Sequence, residues 1–160
     1  MSSFDAFLKI AGVEGESRQK GYEKQIEIEG FSWGVNNPTS HGGAGGQSAG
    51  KSMATGFSFT KKTDKGSAKF FEKCARGQNF PEVLCSIRKA TGDGGQEAYL
   101  TYKFTEVFVE SVNWSGGGGG EPMESISLAF NKVEIEYKVQ DIKGKLSAGA
   151  QVAFDWSKGA

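Results

Sequence analysis

Residues 97–113 read EAYLTYKFTEVFVESVN. Leu100, Tyr102 and Phe104 alternate with polar neighbours, and the apolar set then shifts phase to Val107 and Val109. Residues 123–139, MESISLAFNKVEIEYKV, behave alike: Ile126, Leu128 and Phe130 come first, then Val133, Ile135 and Tyr137. Alternation with a period of two is the mark of a half-buried strand. A phase shift inside such a strand changes the buried face, as a β-bulge does. Two long strands that both change face predict a strongly curved sheet serving both halves of a closed or nearly closed barrel.

The flanking sequence extends this pattern. Phe4–Ala11 reads as a strand, with Phe4, Ala6, Leu8 and Ile10 set against Asp5 and Lys9. After the polar stretch Glu14–Lys24, Gln25–Val35 places Ile26 and Ile28 on one side and Glu27 and Glu29 on the other. Beyond Gly30 the apolar set becomes Phe31 and Trp33, a one-residue slip expected of a bulge at a glycine. That slip puts Ser32 on the polar face with Glu27 and Glu29. Phe57 and Phe59 mark a strand within Ser52–Lys61, and Val83–Thr91 and Gln151–Trp156 are two more. Ser67–Arg76 has helical spacing, with Phe70, Phe71, Cys74 and Ala75 on one face and Lys69, Lys73 and Arg76 mostly on the other. Ser67 is its expected N-cap and Gly77 its C′ residue. The sum is a mainly β fold. It is a curved barrel or sandwich of two sheets with one flanking helix, forming a single domain over residues 1–160.

Composition narrows the function. The 160 residues include 24 glycines, and Lys plus Arg equals Asp plus Glu at 19 each. Zero net charge provides no electrostatic footprint for nucleic acid or an anionic membrane. No run approaches a membrane span, and no basic-then-apolar leader opens the chain, so neither membrane insertion nor a cleaved signal peptide is expected. The glycines concentrate in segments 36–51 and 115–121, read as exposed inter-strand loops, with Gly92, Gly94 and Gly95 forming a third. Cys74 and Cys85 lack metal-ligand spacing and read as reduced, half-buried thiols. His41 is the single histidine, in a glycine-rich loop, so the usual catalytic triads and histidine metal sites are not expected.

One chemical motif needs weighing. Gly45 to Ser52 matches GxxxxGK[ST], in which Lys51 would hold phosphates and Ser52 magnesium. Yet no buried strand immediately precedes it, and alternating Phe57 and Phe59 follow where a helix should begin. The carboxylate pairs Glu27/Glu29, Glu106/Glu110 and Glu134/Glu136 read as solvated strand faces. The residues therefore point to assembly or binding, with no catalytic, cofactor or metal site. A monomeric β-barrel holding a small ligand inside is the rival reading, although 12 phenylalanines favour a filled interior. No large apolar face is left over, so any subunit interface is expected to be polar, with Glu27/Glu29 or Lys132/Glu134/Glu136 as candidates for charge pairing.

Certain ordered stretches carry a resemblance. They are Lys9-Ile10 followed by Val13-Glu14-Gly15-Glu16-Ser17, Gly30-Phe31-Ser32-Trp33-Gly34, Phe59-Thr60-Lys61 with Asp64, and Gly77 through Phe80-Pro81 with Ile87-Arg88-Lys89. They continue with Tyr102 to Val107, Val109-Glu110-Ser111-Val112 and the glycine run before Glu121. Together, from Phe4 to Trp156, they resemble Hcp (haemolysin-coregulated protein), the tube subunit of bacterial type VI secretion systems. The resemblance implies a phage tail-tube-like barrel with one flanking helix, assembled as homohexameric rings stacked into a hollow tube. It implies a spike protein at the tip, a contractile sheath and baseplate around it, and small effector proteins carried in the lumen. It places the protein first in the bacterial cytoplasm, then in the medium or a target cell. Ser32 falls on the strand that lines the lumen in this family. Segment 36–51 aligns with the ring-stacking loop, with His41, Gly42, Gly43, Gly45, Gly46, Gln47 and Lys51 as stacking candidates. The chain ends soon after Trp156, so no fused C-terminal toxin is expected.

Overall fold

The computed structural model describes residues 4–40, 48–90 and 96–160. The chain forms β1 (Ala6–Lys9), β2 (Ile26–Ile28), β3 (Gly30–Ser32), β4 (Val35–Asn36), β5 (Thr39–Ser40), β6 (Ser48–Ala49), β7 (Met53–Ala54) and β8 (Phe57–Lys62). These are followed by α1 (Ser67–Arg76), β9 (Asn79–Ala90), β10 (Gln96–Ser115), β11 (Met123–Ala129), β12 (Lys132–Gln140) and β13 (Leu146–Asp155). The main sheet runs β2-β1-β9-β10-β11-β8-β3, with β12 added beside β10 and β13 beside β12. All its pairings are antiparallel.

No ladder joins the two ends of this path. The end strands are nevertheless successive: β2 and β3 flank Glu29, whose N–H donates to the Thr60 carbonyl of β8 at 2.8 Å. The slip expected at Gly30 is thus a change of partner, from β1 to β8. Segment 12–25 folds across the outside of β1, where the Arg88 guanidinium lies 5.1 Å from the Phe7 ring and 4.9 Å from Tyr22. Phe7 is therefore buried although it points away from the barrel interior.

Inside, aromatic rings fill the space. Phe104 lies 4.8 Å from Phe57 and 4.5 Å from Phe130, and Trp33 meets Phe104 edge-on at 5.6 Å. Offset and edge contacts of this kind add specific attraction to the burial itself. This packing agrees with a filled interior.

β10 organises the sheet. Its first half, Leu100–Thr105, pairs with Tyr137–Lys132 of β12, and its second half, Phe108–Ser115, pairs with Ala129–Met123 of β11. Between the halves, Glu106 takes a left-handed conformation at φ 54°. That conformation costs a non-glycine residue about 1–2 kcal/mol. It also explains the phase shift: Phe104 and Val107 are both buried, three residues apart. The expectation of one strand over 123–139 is corrected here. β11 and β12 are separate, because a neighbour crossing the kink of β10 must itself break. At the break, Asn131 N–H donates to Thr105 O at 3.1 Å and its Nδ2 donates to the Glu106 carboxylate at 2.6 Å.

Helix α1 has the expected limits. Its C-terminus closes at Gly77, φ 65°, with Gln78 N–H donating to Lys73 O at 3.0 Å, a Schellman arrangement. Ser67 does not cap the other end, since it already lies within the helix and Gly66 precedes it. Its hydroxyl instead accepts from Asp64 N–H and from the Lys61 ammonium, both at 3.0 Å. Phe71 is corrected too. It is exposed and leans on Trp114 at 6.1 Å, whereas Phe70 is fully buried.

One buried ion pair joins the helix to the sheet. Lys61 and Glu124 face each other in the β8–β11 register, and both are essentially inaccessible. Lys61 Nζ lies 3.1 Å from Glu124 Oε1 and 2.9 Å from Asp64. Trp114 Nε1 donates to Glu124 Oε2 at 2.9 Å. Breaking such a pair strands a charge in low dielectric and costs about 3–5 kcal/mol, whereas removing both charges costs far less. Glu124→Gln should therefore lower stability to urea by about that amount, and Lys61→Met with Glu124→Leu should recover most of it. Burial pushes the Glu124 carboxyl up, but hydrogen bonds from Ser67 and Thr63 and the Lys61 charge hold it below its ordinary value. A depressed folded value stabilises above the unfolded value of about 4.3, and that stability is lost as pH falls through the folded value. Urea midpoints across the acid range should fall more steeply in the native protein than in the double variant.

Candidate functional site

The polar face that carries Ser32 is built by register. Ser32 of β3 pairs with Ser58 of β8, Ser58 with Ser127 of β11, and Ser127 with Ser111 of β10. The next row along is Gly30, Thr60, Ser125 and Asn113. Side chains two apart on a strand share a face. The result is a field of short hydroxyls and one amide over four strands, with Gly30 contributing no side chain. Ser32, Thr60, Ser125 and Asn113 are exposed. Ser58 Oγ approaches Ser127 Oγ at 3.4 Å. Ser32 is thus where the phase argument put it, but the serine row around it was not foreseen. Its signal lies in the sequence: Ser58/Thr60 and Ser125/Ser127 occupy the polar positions of their strands.

A bulge between Val109 and Ser111 leaves Glu110 as the extra residue of β10. Its carboxylate accepts from Ser127 Oγ at 3.3 Å. Gly56 lies beneath, and a Cβ there would come within 2.5 Å of Glu110 Oε1 and 2.8 Å of Ser127 Oγ.

Segment 36–51 is corrected in part. Its flanks are paired rather than irregular: Val35–Asn36 with Ala54–Met53, and Thr39–Ser40 with Ala49–Ser48. Gly50 fits between the two steps, its N–H donating to Pro38 O at 2.9 Å. Lys51 is exposed. His41, Gly42, Gly43, Gly45, Gly46 and Gln47 lie outside the described residues, as do Gly92, Gly94 and Gly95. Segment 115–121 is exposed throughout. The phosphate-loop match has strand β7 where a helix is needed, and Ser52 Oγ accepts from Trp156 Nε1 at 3.1 Å.

The expectation that no apolar face is left over is overturned. A groove of about 240 Å³ opens between β12–β13 and the chain after β3, lined by Trp33, Val35, Ile135, Val152, Phe154 and Trp156. Val35 is 58% and Val152 60% exposed. The apolar stripe of β12 and β13 simply runs beyond the rings that cover it. Glu27 and Glu29 are exposed beside an open cleft. Glu134 is bridged by Lys103 at 3.5 Å, which also reaches Glu82 at 3.4 Å. Both cysteines are free thiols; Cys85 is buried, and burial pushes its thiol up to about 12. Among the described residues no cluster could hold a metal, and no helix is long and apolar enough to cross a membrane.

Residues 7–137 match the family model described as type VI secretion system effector, Hcp. The protein hcp1 of Pseudomonas aeruginosa is 35% identical over 154 residues, covering 96% of this chain and 94% of the relative. A solved type six secretion system protein superposes with a TM-score of 0.89 at 35% identity over 98% of both chains. Hcp1 of Salmonella typhimurium superposes with a TM-score of 0.77 at 29% identity, over 98% of this chain and 97% of the other.

The tight contact at Gly56 is open to test. Gly56→Ala should destabilise by about 1–2 kcal/mol by forcing the Glu110 carboxylate off the serine row. Paired with Glu110→Ala the cost should shrink, so a double-mutant cycle in urea reads the coupling directly. Purely additive costs would mean that the contact is absent.

Proposed function

Since the chain belongs to the Hcp family of type VI secretion proteins, we propose that it forms hexameric rings that stack into the tube of such a system, with a lumen that carries small effector proteins. The observation that carries this reading is the division of the sheet into two unlike surfaces. One is the hydroxyl field around Ser32, and the other is the apolar groove around Val35 and Val152. Subunit contacts draw on apolar cores, which the groove supplies. A bore that must release its cargo is served by short polar groups that bind weakly.

The ring contact is heterologous, one patch meeting a different patch on the neighbour, as cyclic symmetry with more than two subunits requires. The β4–β7 and β5–β6 pairs form two small sheets separate from the main one, an arm suited to bridging stacked rings. The spike, sheath and baseplate would be its partners at the ends and outer wall of the tube. The subunit would be made in the bacterial cytoplasm and leave with the tube. The ring-filled interior speaks against the rival reading of an internal small-ligand pocket.

Light scattering of the purified protein tests this. The subunit is 17.1 kDa, and the expected mass is about six times that value. Val152→Asp should disperse the ring to monomers with little loss of subunit stability, since the residue is exposed in the single chain. Ser32→Gln should leave the ring intact while reducing the cargo that co-purifies with it. A native monomer at high concentration would sink the proposal, and a monomeric Ser32→Gln would make Ser32 an interface residue.

A further inference from the structure

The Glu110 carboxylate is hydrogen-bonded directly to the hydroxyl field. Glu110 is exposed, its carboxylate rests on Ser127, and among the described residues no lysine or arginine ion-pairs with it. Lys62, at the margin of the same face, already has Glu121 at 3.7 Å. The bulge at Val109/Ser111 and the missing Cβ at Gly56 are what let the carboxylate lie against the sheet. A bulge re-aims a side chain at a cost in sheet pairing.

We infer that Glu110 sets the chemistry of what this face accepts: polypeptide segments carrying lysine or arginine among small polar residues. The inference rests on the carrier reading above and names the cargo class for the same surface. Backbone amides and short side chains hydrogen-bond to Ser32, Ser58, Ser111 and Ser127, and a cationic group meets the unpaired carboxylate. A second copy of this chain is a poor occupant, because the face has no apolar anchor of the kind a stable interface needs. An acidic segment is disfavoured by the same carboxylate that attracts a basic one. In a ring the carboxylate recurs on every subunit, so several cations on one cargo engage at once and their weak contacts reinforce one another.

The test uses fluorescence anisotropy with the purified full-length protein and two labelled probes, a Ser-Lys repeat peptide and a Ser-Glu repeat peptide. The Ser-Lys probe should bind at low salt and be released as salt rises, and the Ser-Glu probe should not bind. Glu110→Gln should weaken the Ser-Lys probe by about threefold to fivefold per engaged site. Glu97→Gln removes an equal charge from the far end of β10 and should leave binding unchanged. Equal binding of both probes, or equal losses in the two variants, would overturn the inference. Light scattering on the same samples keeps the two readings apart. A monomer that still binds Ser-Lys through Glu110 defeats the ring and leaves this inference standing, whereas an intact ring blind to Glu110 does the reverse.

Discussion

The fold depends on one local constraint: β10 must change neighbours halfway along a single edge. Glu106, held at φ 54°, does this by resetting the alternation of the strand. Before it, the inward positions are Tyr102 and Phe104, and after it they are Val107 and Val109. The neighbouring chain is forced to break at Phe130–Asn131, and Asn131 is then bonded to both Thr105 and Glu106. The kink also divides the outer surface. On one side β10 presents Thr101 and Lys103 beside the charged face of β12, and on the other it presents Ser111 and Asn113 to the hydroxyl field. The apolar groove and the serine rows lie on opposite sides of this divide, so the two unlike surfaces follow from a single backbone conformation.

The second constraint is the ion pair that ends the apolar stripe. Phe57 and Phe59 lead into Lys61 on the inward side of β8, just as Leu128 and Ile126 lead into Glu124 on β11. Opposite charges in direct register complete the core where α1 docks. Asp64 and Ser67 accept from the Lys61 ammonium, and Trp114 donates to Glu124 Oε2. The helix is thereby fixed by polar geometry at its start and by Phe70 along its length.

Much of this architecture was legible in the sequence. The phase shifts, the limits of α1, Gly77 and the exposure of Ser32 all follow from periodicity and glycine stereochemistry. The break inside residues 123–139 was hidden because an interval of three between Phe130 and Val133 looks the same for a bulge and for a turn. Ser67 was misread because an N-cap and a buried hydroxyl one residue later share the same residue type. Lys61 and Glu124 were missed although alternation put both inward, since a charge in a strand is read by habit as outward. The leftover apolar groove was invisible because sequence periodicity shows which face is apolar, and only tertiary packing shows how much of it is covered.

For an Hcp family member, these surfaces suit the proposed tube subunit: cohesion would fall to the apolar groove and passage to the hydroxyl wall. The most direct measurement is a cryo-electron microscopy reconstruction of the purified protein at side-chain resolution. The account predicts a six-fold ring with Ser32, Ser58 and Ser127 facing the bore and the Val35–Val152 groove closed by the neighbouring subunit. A ring with the serine rows on its outer wall, or buried between subunits, would contradict it.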